Sequence, residues 1–250
     1  MRASKRILKG EPPEPTVFHI THWKAGSQWI YGMLRALVPE RVVTPELYVS
    51  HFFKKPLSPG GVYPTLYLTR DQFLSIETPK NSRRFVIVRD LRDTLVSGYF
   101  SIRYSHPLLD GTLALWRAKL NTLTVEEGLL FLMDEWLPKS ANIQSSWVNS
   151  EEQIIRYEDL LSQDLTILES LLIDHCGLNI STENIKCVVE KNRFKRLSAG
   201  RKNGEEDLLS HRRKGVAGDW KNHFTSLVTE RFESRYGKLL TTMGYERITL

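Results

Sequence analysis

The stretch VFHITHWKAGSQWIYGMLRAL, residues 17–37, decides the fold. Its first five residues are mostly β-branched or aromatic, which is typical of a short strand. A turn that contains Gly26 follows, and from Ser27 apolar residues recur at helical spacing until Pro39 stops the pattern. The order of strand, loop and helix predicts the first half of a β–α–β unit.

The same alternation continues along the chain. Residues 62–68 and 153–157 are predicted strands, and the run 85–88 is so apolar that it indicates a parallel strand buried on both faces. Strands that alternate with helices predict an α/β fold, a P-loop-like three-layer domain with a central, mostly parallel sheet flanked by helices. Ligands of such sheets bind beyond the carboxyl ends of the strands, which directs the search for a site to the residues after Thr21 and Val88.

Helical patterns fill the intervals between the strands. One helix is predicted from about Thr94, with Asp93 as its N-cap. Other helices are predicted over 125–137, 162–175 and 226–243, and the polar stretch 199–213 is predicted to be a loop or mobile flap.

Composition limits the class of protein. Of 250 residues, 41% are apolar and 26% charged, which is typical of a soluble globular chain. We expect a flexible tail over 1–15 and a single domain over 16–250. The net charge of +6 favours an anionic ligand and does not demand nucleic acid.

The cysteines and the apolar runs bear on the compartment. Cys176 and Cys187 lack metal-ligand spacing, so neither structural zinc nor a disulfide framework is expected. The basic N-terminus is followed by Gly and Pro instead of the apolar run of a signal peptide, and no run approaches the ~18 apolar residues of a membrane helix. We therefore expect a cytoplasmic protein without a membrane span.

The loop THWKAGSQW, residues 21–29, is a candidate anion site between strand and helix. Backbone N–H groups at a helix N-terminus favour anions, Lys24 adds a positive charge, and Gly26 permits close approach. The loop lacks the GKS or GKT of a Walker A motif. The alternative is a helix capped by Ser27 beside a solvated lysine.

Two further segments carry cations at places where a phosphate could bind. Arg89 follows the buried strand and Ser97 lies eight residues on, so both could share one phosphate; the alternative is a surface ion pair between Arg89 and Asp90 or Asp93. The stretch HRRKGVAGDWK, residues 211–221, combines cations with glycines in a turn that suits phosphates. A solvated run of charges is its alternative interpretation.

Together, in this order, these segments resemble one family, the cytosolic-type sulfotransferases that use PAPS (3′-phosphoadenosine 5′-phosphosulfate). Residues 21–29 are similar to the family's TxPKSGTxW loop, with departures at Trp23, Ala25 and Ser27, and Ala25 removes a hydroxyl donor. The stretch from 85 to 97 resembles its 3′-phosphate strand and helix, V-x-R-x-x-x-D-x-x-x-S. Residues 213–220 resemble its RKGxxGDW segment, and 157–160 fit its YEDL strand end.

The resemblance implies a donor site residue by residue. It places the 5′-phosphosulfate on the loop from Lys24 to Trp29 and the adenine between Trp29 and Phe194, near Tyr157. It implies PAPS as donor, PAP (adenosine 3′,5′-bisphosphate) as product, and no metal. The implied binding residues are Lys24, Ala25, Gly26, Ser27, Gln28, Trp29, Arg89, Ser97, Tyr157, Phe194, Arg213, Lys214 and Gly215. Asn192 and Arg193 replace a usual Thr-Ser pair of the family.

The implied chemistry is in-line transfer of a sulfuryl group, in which positioning and charge stabilisation do most of the catalysis. Lys24 is expected to neutralise the leaving phosphate. The family's usual basic histidine lies 22 residues before the 3′-phosphate arginine, but that position is Tyr67 here. We assign the base to His51, which precedes the same strand, with Tyr67, Asp71 and His22 as rivals.

The acceptor and the assembly stay open at this point. A hydroxyl or amine of a small molecule or glycan is expected, and a homodimer is one candidate assembly. Loops 44–60, 103–122 and 199–212 are expected to recognise the acceptor. A catalytically impaired nucleotide- or polyanion-binding protein of the same fold is the second hypothesis, because the family histidine is missing. A P-loop kinase is disfavoured by the absent Walker A motif.

Overall fold

The computed structural model describes residues 14–46, 55–108 and 110–246. Within these ranges the strands form one four-stranded sheet in the order β2-β1-β3-β4. Every pairing between neighbouring strands is parallel, in agreement with the predicted α/β fold. The strands are β1 (Thr16–Thr21), β2 (Val62–Leu66), β3 (Ser82–Val88) and β4 (Gln153–Arg156).

Helices connect and cover the strands. The α-helices are α1 (Ser27–Leu37), α2 (Arg70–Leu74), α3 (Leu91–Phe100), α4 (Gly111–Asn121), α5 (Val125–Glu135), α6 (Leu137–Trp147), α7 (Tyr157–Glu169), α8 (Thr182–Asn192), α9 (Phe194–Leu197) and α10 (Ser226–Thr242). π-Helical turns, Ser101–Ser105 and Ser170–His175, extend α3 and α7, and a 3₁₀ turn covers Asp219–Asn222. The stretch 199–213 is a loop, as predicted.

Side chains that alternate along the central strands build the three layers. Val17 of β1 and Phe85 of β3 belong to the apolar cluster that α1, α7 and α8 cover. Phe18 and Val86, the next residues along, belong to the cluster on the opposite face, which Trp147 of α6 closes. Because both faces are covered, all six residues of β1 are buried.

His19 of β1 is fully buried, and its ring is neutral. The His19 ring stacks on Phe85, with 5.0 Å between ring centroids, and Nδ1 accepts a hydrogen bond from the Thr65 N–H at 3.3 Å. Burial lowers the pKa of His19 to about 3, so the imidazole is neutral in the folded protein.

Several element boundaries differ from the sequence prediction; β2, for example, ends at Leu66 and not at Leu68. Helix α3 begins at Leu91, before the predicted Thr94, and its N-cap is Asp90, whose side chain accepts from the Arg92 N–H at 2.8 Å. Asp93 was predicted to be that cap and lies in the first turn instead. Tyr157 begins α7 and does not end a strand.

The sequence pattern also missed helices α2, α4, α6, α8 and α9, and α4 lies within the stretch 103–122, which was expected to be a loop. Among the described residues, no helix combines the length and the apolar character that crossing a membrane requires. No group of three or more histidine, cysteine or acidic side chains within those residues is arranged to hold a metal ion.

Candidate active site beyond the strand ends

A cavity of about 270 Å³ opens beyond the carboxyl ends of β1 and β3. Its walls come from stretches far apart in the chain, the loop after β1, the beginning of α3 and the run 211–216. The predicted binding residues that line it are Lys24, Gly26, Ser27, Gln28, Trp29, Arg89, Ser97, Tyr157, Phe194, Arg213, Lys214 and Gly215. Ala25 is fully buried and contributes no lining surface.

The loop after β1 presents the N-terminus of α1 to this cavity. Gly26 precedes the helix with a φ of 82°, and a Cβ there would lie 2.8 Å from the Tyr157 ring. Glycine is required for both the backbone conformation and the space. The Trp29 N–H already donates to the Gly26 carbonyl at 2.9 Å. The first N–H groups of a helix have no acceptor four residues back, so those of Ser27 and Gln28 remain available to an anion.

Ser27 does not cap α1, contrary to the alternative interpretation of the loop. Its hydroxyl lies 2.9 Å from the Tyr67 hydroxyl, and the two share a hydrogen bond. The Tyr67 ring stacks on Trp23, with 4.7 Å between centroids. Burial raises the pKa of Tyr67, so this residue at the family's histidine position is a protonated phenol at neutral pH.

His22 connects the ends of the two central strands. Its Nε2 accepts a hydrogen bond from the Arg89 N–H at 3.1 Å, and its Nδ1 donates to the Trp23 carbonyl at 3.0 Å. Burial lowers the pKa of His22 to about 4. Because both ring nitrogens are engaged, His22 is a structural bridge and not a candidate base.

Lys24 is held in a tight place among other cations. Its φ is 67°, and its carbonyl accepts from the Arg89 guanidinium at 3.0 Å. Burial, together with the charges of Arg89 and Arg213, lowers the pKa of Lys24 to about 7. In the described part of the chain no carboxylate pairs with its ammonium group, so an incoming anion would be its first counter-charge.

Arg89 is buried and only partly satisfied. Its guanidinium lies over the Tyr157 ring, 4.8 Å from the centroid, and 3.8 Å from the Asp93 carboxylate. Arg89 Nε and Trp29 Nε1 are both buried and lack a hydrogen-bond partner among the described residues. An unsatisfied buried donor costs about 1–3 kcal/mol, so an acceptor group in the cavity would be favoured. The ion pair between Arg89 and Asp93 that the alternative predicted is thus present, but both side chains are buried and the pair does not lie on the surface.

The turn at Arg213–Gly215 is shaped by a buried acid. Asp219 accepts from Lys214 Nζ at 2.6 Å and forms an ion pair with Arg213. Burial alone would raise the pKa of Asp219, but hydrogen bonds from its basic neighbours hold that pKa well below its usual range. A Cβ at position 215 would collide with the Phe194 ring, so Gly215 allows this aromatic side chain to lie against the turn.

Asp93 joins the turn to α3. Its carboxylate accepts from the Gly218 N–H at 2.6 Å and from the Trp220 N–H at 3.0 Å. This use of Asp93 explains why it does not cap the helix. Residues 211–216 thus form a wall of the cavity, and the buried Asp219 shows that the stretch 211–221 is more than a solvated run of charges.

The structure places the four residues considered as the base in different surroundings. His51 lies outside the described residues. Asp71 is exposed on α2 and does not line the cavity, whereas Tyr67 does. His106 and His211 also line the cavity, and sequence reasoning did not single them out as bases. Only their positions in the predicted acceptor loops 103–122 and 199–212 hinted at a role.

Comparison with known proteins identifies the family of this chain. A family model described as the sulfotransferase domain matches residues 66–244. Sulfotransferase 2A6 of Mus musculus is 26% identical over 243 residues, which cover 90% of this chain and 73% of the relative. The 3-alpha-hydroxysteroid sulfotransferase of Cavia porcellus is 26% identical over 250 residues, which cover 92% and 74%.

The fold has a counterpart among solved structures. Mouse sulfotransferase SULT7A1, solved in complex with PAP, superposes with a TM-score of 0.66 at 18% identity. The match covers 92% of this chain and 89% of that one. This likeness confirms the predicted three-layer α/β fold.

Proposed function

This chain belongs to the sulfotransferase domain family, and from that premise we propose that it transfers the sulfuryl group of PAPS to a hydroxyl or amine of a small-molecule or glycan acceptor. The observation that carries the proposal is the convergence of three distant basic segments on one cavity. The buried donors there, Arg89 Nε and Trp29 Nε1, lack partners among the described residues. These are the groups that a phosphorylated nucleotide would satisfy.

The proposed donor site uses each wall of the cavity for one part of the nucleotide. The loop from Lys24 to Trp29 binds the 5′-phosphosulfate through backbone N–H groups and the Lys24 ammonium. Arg89, Ser97 and the turn 213–215 bind the 3′-phosphate, where a guanidinium can form two parallel hydrogen bonds. The adenine lies between Trp29 and Phe194, close to Tyr157.

Lys24 is proposed to stabilise charge on the oxygen between the sulfuryl group and the phosphate. When bound, PAPS supplies an activated sulfuryl group whose bond to the phosphate breaks as an acceptor attacks in line. A nearby anion raises the pKa of a lysine, so ligand binding ensures the protonation of Lys24, whose pKa is about 7 without it. No metal is required by this scheme.

The acceptor class rests on the relatives. One of them is named a hydroxysteroid sulfotransferase, which supports a hydroxyl on a small molecule as the acceptor here. A glycan acceptor and a homodimer remain part of the proposal, as do a single domain over 16–250 and a cytoplasmic location.

Calorimetry with PAP tests the donor site directly. We expect micromolar binding to the purified protein and a loss of at least tenfold in Arg89→Gln, because a buried guanidinium bound to phosphate contributes about 1.5–3 kcal/mol. Arg83→Gln is the matched control, since Arg83 is exposed on β3, the strand that Arg89 follows. Absence of PAP binding at millimolar concentration would contradict the proposal. Sulfation of a panel of phenols, alcohols and glycans with radiolabelled PAPS then tests transfer.

A nucleotide-binding protein without transferase activity is the second candidate. The observation that favours it is Tyr67, a protonated phenol at the family's histidine position and hydrogen-bonded to Ser27. PAP binding in the absence of any transfer from PAPS, to the panel or to water, would select this candidate.

A further inference from the structure

Two histidines face the Lys24 corner of the cavity, and nothing in the family resemblance assigns a role to either. The rings of His106 and His211 lie 6.4 Å apart between centroids, and both line the cavity together with Lys24. Each imidazole also lies close enough to Lys24 for the two to interact electrostatically. They therefore border the region where the sulfuryl group and its acceptor would meet.

The backbone of His106 is fixed at the end of the π-helical turn. Its N–H donates to the Ser101 carbonyl at 2.7 Å, and its own carbonyl accepts from the Arg117 guanidinium. Arg117 also donates to the Ile102 carbonyl at 2.7 Å, so α4 clamps the turn. His211, by contrast, lies in the loop 199–213 and is exposed. His106 is the imidazole that the fold presents in a defined position.

Building on the proposed function, we infer that His106 is the catalytic base that accepts the proton of the acceptor. An imidazole nitrogen of His106 takes the hydroxyl proton while the acceptor oxygen uses its electron pair to form the new bond to sulfur. The bond between sulfur and the 5′-phosphate oxygen breaks, its electron pair leaves with PAP, and Lys24 faces the resulting negative charge. The proton on His106 is later released to solvent.

The charges around His106 keep it neutral at physiological pH. Burial lowers its pKa, the positive charges of Lys24 and Arg117 lower it further, and only Asp110 opposes them. His211, the remaining titratable neighbour, has a pKa lowered to about 4 by Lys24 and burial and adds no charge. An imidazole that is neutral at physiological pH has a free ring nitrogen and can accept a proton as a general base.

The rivals on this wall are less suited. His211 has so low a pKa that its neutral form is a weak base. Tyr67 is protonated and shares its hydroxyl with Ser27. Both ring nitrogens of His22 are engaged.

Single-turnover transfer tests the inference, with enzyme in excess over PAPS and 2-naphthol as the acceptor probe. Consumption of PAPS by water is followed in the absence of 2-naphthol. We expect His106→Gln to lower the transfer rate by on the order of 10²–10⁴-fold while PAP affinity changes by less than threefold. His211→Gln should stay within tenfold of the unaltered protein. The wild-type rate should fall below pH 6.5, and that limb should be absent in His106→Gln.

A second readout does not depend on turnover. In proton NMR, the His106 C2–H signal, assigned by its absence from His106→Gln, should titrate below pH 6.5. Its pKa should rise when PAP binds, because the ligand phosphates offset the charge of Lys24. A His106 pKa that does not respond to PAP contradicts the inference even if His106→Gln proves unstable.

The outcomes separate the two proposals. An unaltered protein that neither binds PAP nor consumes PAPS ends both. Transfer by the unaltered protein with more than a tenth of the rate retained in His106→Gln ends this inference and leaves the proposed function standing. A larger loss of transfer rate in His211→Gln than in His106→Gln would also contradict the inference.

Discussion

The loop at 22–29 and the turn at 213–215 are both basic, both depend on a glycine with positive φ, and both face the same cavity. They differ in how their cations are balanced. Lys24 has no acidic partner among the described residues, and its pKa has fallen to about 7. Arg213 and Lys214 are already paired with the buried Asp219.

The difference shows two ways to prepare an anion site. A cation without a partner costs stability in the ligand-free protein but interacts fully with an arriving negative charge. A cation fixed by a buried acid has a defined position and gives up part of its attraction for the ligand. The loop therefore offers an unpaired cation to an arriving anion, whereas the turn has a conformation that its own ion pairs fix.

The largest expected effect comes from removing the unpaired cation. Lys24→Ala should lower transfer from PAPS by at least 10²–10³-fold, because a preorganised donor to developing charge contributes that much to rate. PAP binding should weaken but persist, since Arg89 and the turn remain. Calorimetry and single-turnover assays measure the two quantities, with the exposed Lys186→Ala as the matched control. Undiminished turnover in Lys24→Ala would mean that the loop at 22–29 does not stabilise the charge that develops during transfer.

Removing the buried acid should act on stability first. Asp219→Asn should lower the free energy of unfolding by about 3 kcal/mol, because it leaves Lys214 without a counter-charge and Arg213 with Glu206 alone. Urea denaturation followed by circular dichroism measures this, and Glu230→Gln, an exposed acid, should remain within about 0.5 kcal/mol. A change in PAP affinity with unaltered stability would contradict the shape-holding role of the turn.

The pH dependence of PAP affinity should distinguish the two regions more finely. Above pH 7 the phosphates of PAP are fully ionised, since their second pKa is about 6. Between pH 7 and 9 free Lys24 loses its proton, so affinity should fall by on the order of tenfold as the ligand has to restore it. Lys24→Met should remove this slope. Calorimetry at pH 7, 8 and 9 provides the comparison, and a slope that persists in the variant would locate the titrating group elsewhere.

The smallest effect is expected at Tyr67. Tyr67→Phe loses the hydrogen bond to Ser27, which should cost about 1 kcal/mol of stability, and transfer should fall by less than tenfold. Thermal unfolding and the single-turnover assay check both values. A loss of transfer of 10²-fold or more would indicate that Tyr67, and not His106, is the catalytic base.

Much of the sheet could be predicted, and so could the convergence of the candidate site residues on one cavity, because both are encoded in short stretches. The run 85–88 is continuous and apolar, and the strand it forms is buried on both faces as expected. The loop at 24–29 follows directly from a strand, a glycine and a helical pattern. Strand ends meet at one edge of a parallel sheet, so the location of the cavity followed from topology.

What could not be predicted depends on partners distant in sequence. Asp90 and Asp93 are equally good caps locally, and the choice between them is made by the Gly218 and Trp220 N–H groups, which Asp93 accepts. His22 is a plausible base until the Arg89 N–H occupies its free nitrogen. His106 carries no local sequence signal, and the role proposed for it depends on the contacts of Arg117 and on the facing Lys24.

Two neutral imidazoles, one within β1 and one directly after its end, make this architecture sensitive to acid. His19 and His22 have pKa values of about 3 and 4 in the folded protein, against 6.5 in an unfolded chain. As the pH falls below 6.5, His19 and His22 bind protons in the unfolded chain but stay neutral in the folded protein. The free energy of unfolding therefore decreases as the solution becomes more acidic. His22, which connects the ends of β1 and β3 at neutral pH, therefore also limits how acidic the solution can become before the fold, and the cavity with it, is lost.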